Sequence, residues 1–66
     1  MRVLIIGGGG REHAIAASMK KSDRVDKLYC VQGNEGIARI ADCETSIGVM
    51  ELGKIIDYAK ENAVDL

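Results

Sequence analysis

Apolar and polar positions fall in blocks whose period changes along the chain. Arg2-Val3-Leu4-Ile5-Ile6 is a β-branched run with almost no polar break, the pattern of a strand covered on both faces. Gly7 to Gly10 stop it, and a helix is predicted from about Arg11 to Lys21. Ala14, Ile15, Ser18 and Met19 would form its small and apolar stripe, with Ile15 and Met19 in contact one turn apart. Lys20 and Lys21 would close its last turn, where the helix dipole favours cations. Ser22-Asp23 turns the chain. Val25 to Val31 reads as a second strand, apolar over Leu28-Tyr29-Cys30-Val31, followed by the loop Gln32-Gly33-Asn34-Glu35-Gly36. A short helix fits Gly36 to Ala41, and a weaker third strand fits Glu44 to Gly48. From Glu51 to Asn62 the helical period returns. Leu52, Ile55, Ile56, Ala59 and Ala63 share one face, and Asn62 is placed to end the helix. Ala63-Val64-Asp65-Leu66 looks like the approach to another strand.

Strand and helix therefore alternate, which predicts an α/β fold: a parallel sheet with helices on both faces. No repeat, low-complexity tract or interior linker divides residues 1–66, so they read as part of one domain. Domains this short bury only about 60% of their unfolded surface and are marginal without a staple. This sequence has no Trp, Phe or Pro, and its eight glycines add to the entropy lost on folding. The expectation is that these residues open a longer chain.

Charge and cysteine usage remove several function classes. Nine basic residues against ten acidic ones give no positive footprint for nucleic acid. No apolar run approaches the roughly 20 residues of a membrane span, and the N-terminus lacks the pattern of a signal peptide. A cytoplasmic address is expected. Cys30 and Cys43 do not make a secreted disulfide framework or a zinc knuckle, and with a single histidine no metal site is expected.

The sharpest chemistry lies at Gly7-Gly8-Gly9-Gly10-Arg11-Glu12-His13, directly between strand and helix. Glycines allow a tight turn and close approach of a ligand to the backbone. The first amides of the helix then favour a phosphate or another anion, and Arg11 can add charge-assisted donors. The alternative is that the glycines serve only the turn and helix–strand packing. The dinucleotide fingerprint fails: its third glycine position is Glu12, and no carboxylate ends the second strand. NAD is therefore not expected, and no Walker A sequence follows the glycines. Glu12 can complement the helix dipole or meet a ligand. His13 has no Ser, Cys or carboxylate placed by sequence to make it catalytic, and no residue is assigned a catalytic role. Gly33-Asn34-Glu35-Gly36 also follows a strand end and would lie beside the first loop. Asn34 either bonds a sugar or phosphate edge or caps the short helix after it. Cys30 reads as a small buried hydrophobe.

The block Val3-Leu4-Ile5-Ile6-Gly7-Gly8-Gly9-Gly10-Arg11-Glu12-His13-Ala14 closely resembles the N-terminus of the phosphoribosylamine–glycine ligase family. So do Gly33-Asn34-Glu35-Gly36, Ile47-Gly48-Val49 and Ile55-Ile56-Asp57-Tyr58-Ala59-Lys60-Glu61-Asn62. The resemblance implies the start of a Rossmann-like pre-ATP-grasp domain that does not bind NAD, with the ATP-grasp and C-terminal domains outside these 66 residues. The implied reaction joins 5-phosphoribosylamine and glycine, with ATP, into glycinamide ribonucleotide, an early step of purine synthesis. ATP and Mg2+ (or Mn2+) would bind outside this segment, and the segment alone would be inactive. Gly8, Gly9, Gly10, Gly33 and Asn34 would face the phosphoribosyl substrate, and Arg11 or Glu12 would contact either that substrate or the neighbouring domain. The family commonly has proline where this chain has Gln32. A rival reading is a non-catalytic phosphate- or nucleotide-binding module, and a third is an oligomerisation piece with purely structural glycines.

Overall fold

The computed structural model describes all of residues 1–66. Its elements are β1 (Arg2–Gly7), α1 (Gly10–Lys20), β2 (Lys27–Gln32), α2 (Glu35–Ala38), β3 (Asp42–Glu44) and α3 (Leu52–Glu61). All strand pairs are parallel, with β2 between β1 and β3. The expected α/β Rossmann-like arrangement is present. No helix is long and apolar enough to cross a membrane.

Beyond α3 the chain returns to the free side of β1. Leu66 donates its amide to the Arg2 carbonyl at 3.2 Å and accepts from the Leu4 amide at 2.8 Å, the bonding pattern of a parallel pair centred on Val3. The approach to a further strand is thus already paired. The lateral order runs β3, β2, β1 and then this segment, and the place where successive strands jump across β1 is the switch point of a doubly wound sheet.

Side-chain alternation divides the sheet between two helical layers. On one face Val3 and Ile5 of β1, with Leu28 and Cys30 of β2, pack with Ala16 of α1 and Ile37 of α2 as the core. On the other face Tyr29 and Val31 are buried, and α3 sets the Tyr58 ring edge-on to Tyr29 at 6.0 Å between centroids. Arg2 extends across this layer and donates to the Asn62 carbonyl at 2.7 Å.

Several expectations are corrected here. The expected α1 stripe is rotated: Ala16 is fully buried while Ile15 is 41% exposed. A helix seated closely on a sheet puts its smallest side chain at the contact, so side-chain size misdirects a reading based on bulk. Lys21 is the residue after α1, not part of its last turn. β2 starts and ends slightly later than expected, and α2 starts at Glu35 and ends at Ala38. The third strand is Asp42–Glu44, and the expected Glu44 to Gly48 is mostly turn. Register explains the shift, since Tyr29, Cys30 and Val31 pair with Asp42, Cys43 and Glu44. On α3 only Ile55 is buried, whereas Leu52 and Ile56 are 67% and 53% exposed.

Asn62 ends α3 as expected. The Val64 amide reaches the Ala59 carbonyl at 2.9 Å, and the Ala63 amide reaches the Lys60 carbonyl at 3.2 Å, as in a Schellman turn. The left-handed position of that turn is Ala63, at φ 53°, where a Cβ is unfavourable. Ala63→Gly is expected to raise stability by about 0.5–1 kcal/mol, read as a higher urea midpoint with an unchanged slope.

Candidate functional site

The carboxyl ends of β1 and β2 carry two loops, Gly7 to Glu12 and Gln32 to Gly36, that are bonded into one edge. The Gly33 amide donates to the Gly7 carbonyl at 2.9 Å, extending the β1–β2 ladder past its last side chains. Gly7 and Gly33 have φ of +131° and +72°, the region that glycine occupies without strain. Gly8 lies directly against the second loop, where a Cβ would stand 2.4 Å from the Gly33 carbonyl oxygen.

Asn34 fastens this seam from the other side. Its Oδ1 accepts from the Ile37 amide at 2.9 Å, making it the N-cap of α2. Its Nδ2 donates to the Gly8 carbonyl at 2.8 Å. Of the two readings of Asn34 the cap is present, and the remaining polar atom is spent on the neighbouring loop. His13 adds a steric contact: its ring lies over Gly36, where a Cβ would be 2.3 Å from Cε1. Cys30 is fully buried below the edge and donates its thiol to the Gly7 carbonyl at 3.2 Å. The cross-loop role of Asn34, His13 and Cys30 has no local sequence signal, because each partner lies more than 20 residues away.

Glu12 folds back on its own loop and accepts from the Gly9 amide at 3.1 Å, the acidic arm of a capping box. The amides of Gly10 and Arg11 that follow have no acceptor within the helix. Arg11 is exposed and takes no part in the ion pairs, whose cations are the N-terminus, Lys27 and Lys54. Gly10 stands apart from the other glycines of the loop: a Cβ there would meet nothing within 4 Å, and its φ is not positive. The fold requires Gly7 and Gly8. It does not require Gly10.

Gln32 has φ 77°. Proline is locked near −65°, so a proline could not take up this backbone. The Gln32 side chain instead holds the turn after β3 by donating to the Thr45 carbonyl at 3.3 Å and to that of Ile47.

The two clefts of the molecule lie elsewhere. One, of about 240 Å3, sits at the amino ends of β2 and β3 between Lys20, Asp26, Lys27, Arg39 and Asp42. The other lies beside α3 between Glu44, Lys54, Asp57 and Glu61. Neither is lined by the glycine loops, which form an open edge with free amides and one free cation.

Glu12→Ala is expected to destabilise the protein by about 1 kcal/mol by leaving the Gly9 amide without its acceptor. Glu12→Gln keeps an acceptor there and should lose less than half of that. Thermal unfolding of the two variants checks the difference.

The profile described as phosphoribosylglycinamide synthetase, N domain, matches residues 1–66. The chain belongs to that family. It is 48% identical over 66 residues to the phosphoribosylamine–glycine ligase of Caldanaerobacter subterraneus subsp. tengcongensis, with 100% of this chain and 16% of that protein covered. It is also 48% identical to the proteins of the same name from Brucella melitensis and Pseudomonas putida, covering 100% of this chain and 15% of each. The chain thus spans 15–16% of the length of these curated relatives.

Proposed function

We propose that this chain is the N-terminal, substrate-binding segment of a ligase that joins 5-phosphoribosylamine and glycine, at the expense of ATP, to give glycinamide ribonucleotide in purine biosynthesis. The observation that carries the reading is the bonded pair of loops at the switch point, within a chain matched over its full length by the family. Such an edge is where open α/β sheets take their ligands.

In this reading the phosphate of phosphoribosylamine meets the free amides at the start of α1, with Arg11 supplying a charge-assisted fork. Gly8, Gly9 and Gly10 admit the ligand to the backbone. Gly33, Asn34 and Glu12 shape the edge, because their polar groups are engaged within and between the loops. The role is one of binding and orientation, which presents the amine to its reaction partner. ATP and Mg2+ or Mn2+ belong to the remainder of the ligase. No group of three His, Cys, Asp or Glu side chains comes together here, and Glu12 is committed to the Gly9 amide.

The test is ADP formation by the purified protein that carries this segment. ATP consumption is expected only when glycine and phosphoribosylamine are both present. Ribonucleotide binding without glycine-dependent ATP consumption would replace the ligase reading with a non-catalytic binding module.

A further inference from the structure

We propose that Cys30 and Cys43 form an oxidisable dithiol, which a two-electron oxidant such as hydrogen peroxide converts into a cross-strand disulfide beneath the second loop. The two residues are directly opposite each other in the β2–β3 register, and both are free thiols. Adjacent strands lie about 4.7–4.9 Å apart, inside the roughly 4.4–6.8 Å span between Cα atoms that a disulfide bridges.

The sulfurs also point to one place. A Cβ built at Gly33 would be 2.4 Å from the Cys43 Sγ and 3.6 Å from the Cys30 Sγ. Both therefore border the same small space, which is open because residue 33 is glycine. Both side chains lie in the layer under α1 and α2, Cys30 within the core and Cys43 packed against it.

Accessibility assigns the order of events. Cys43 is half-buried while Cys30 is fully buried, and burial, reinforced by the Cys43 sulfur beside it, pushes the Cys30 thiol up to about 11. Cys43 thiolate attacks one peroxide oxygen and the O–O bond breaks, giving a sulfenic acid and hydroxide. The hydroxide takes up a proton and becomes water. Cys30 sulfur then attacks the sulfenic sulfur, the S–O bond breaks, and the oxygen leaves as water with the Cys30 proton. Two thiols and one peroxide become one disulfide and two waters. Oxidation also removes the thiol hydrogen that Cys30 donates to the Gly7 carbonyl. The redox state is thereby linked to the floor of the glycine loop, whatever ligand that loop takes.

Peptide mapping tests this directly, because trypsin cleaves after Lys27, Arg39 and Lys54 and so separates the two cysteines into Leu28–Arg39 and Ile40–Lys54. The native protein is treated with hydrogen peroxide, its free thiols are blocked, and it is digested without reductant. The expected result is the two peptides joined and two hydrogen atoms lighter than their sum. The joined species should be absent from Cys43→Ser and should come from single chains in a mixture of 15N-labelled and unlabelled protein. Recovery of the two peptides unlinked, whether unmodified or with Cys43 as sulfinic or sulfonic acid, overturns the proposal. So does a link found only between labelled and unlabelled chains.

Discussion

Gly8→Ala is expected to open the seam between the two loops and to remove 1–3 kcal/mol or more of stability, roughly the range for overpacking a rigid site. The added Cβ would lie 2.4 Å from the Gly33 carbonyl oxygen, and that oxygen belongs to backbone tied to Gly7. No flexible side chain can give way. Relief requires the loops to part, which weakens the Gly33–Gly7 bond and the Asn34–Gly8 bond together. At roughly 0.05–0.15 kcal/mol per residue a loss of this size is large against what these residues contribute. Chemical denaturation of the variant measures it. Gly10→Ala is the matching control, since its Cβ meets nothing. Its stability should be unchanged or raised by up to about 1 kcal/mol, while its affinity for a phosphoribosyl ligand falls roughly tenfold or more, equivalent to about 1.4 kcal/mol. The pair of variants thus separates what the fold needs from what the ligand needs.

Asn34→Ala is expected to lower stability by about 2 kcal/mol. Loss of the N-cap accounts for about 1 kcal/mol, and loss of the bond to Gly8 adds a similar amount. Asn34→Asp isolates the second part, because it keeps an acceptor for the Ile37 amide but turns a carboxylate towards the Gly8 carbonyl in place of a donor. It should retain α2 and yet loosen the first loop, seen as faster exchange than in the parent of the Gly9 amide, which is bonded to Glu12, and of the Gly33 amide, which is bonded to Gly7. If Asn34→Asp leaves exchange of both amides unchanged, the bond across the loops is not what holds Gly8.

How far the sequence disclosed this arrangement depended on whether the signal was local. β1 was legible because Val3 to Ile6 is an unbroken apolar run, and α3 because its period persists over ten residues. β3 is misplaced because Asp42-Cys43-Glu44 is only three residues long with a single apolar position, too short to show a period of its own, and its position is set by pairing with Tyr29, Cys30 and Val31. The buried side of α1 was misread because Ala16, the smallest side chain available, makes the contact with the sheet. In the site, the glycine loop follows from spacing, and the cap of Asn34 is one of the two readings that its position leaves open. The bond from Asn34 to Gly8, the His13 contact with Gly36 and the thiol of Cys30 on Gly7 join residues distant in the chain. Only the parallel register of β1 and β2 brings them together.

The most direct test of the central claim is an amide-resolved NMR titration of the intact protein with ribose 5-phosphate, a stable stand-in for phosphoribosylamine. Shifts are expected first and largest at Gly8, Gly9, Gly10 and Arg11, with a smaller response at Gly33 through the bonded seam. The Gly10→Ala variant should lose that response while keeping the dispersed spectrum of a folded domain. Shifts confined to the cleft between Lys20, Lys27 and Arg39 at the opposite end of the sheet, or no shifts at saturating ligand, would contradict a phosphoribosyl site at the glycine loop.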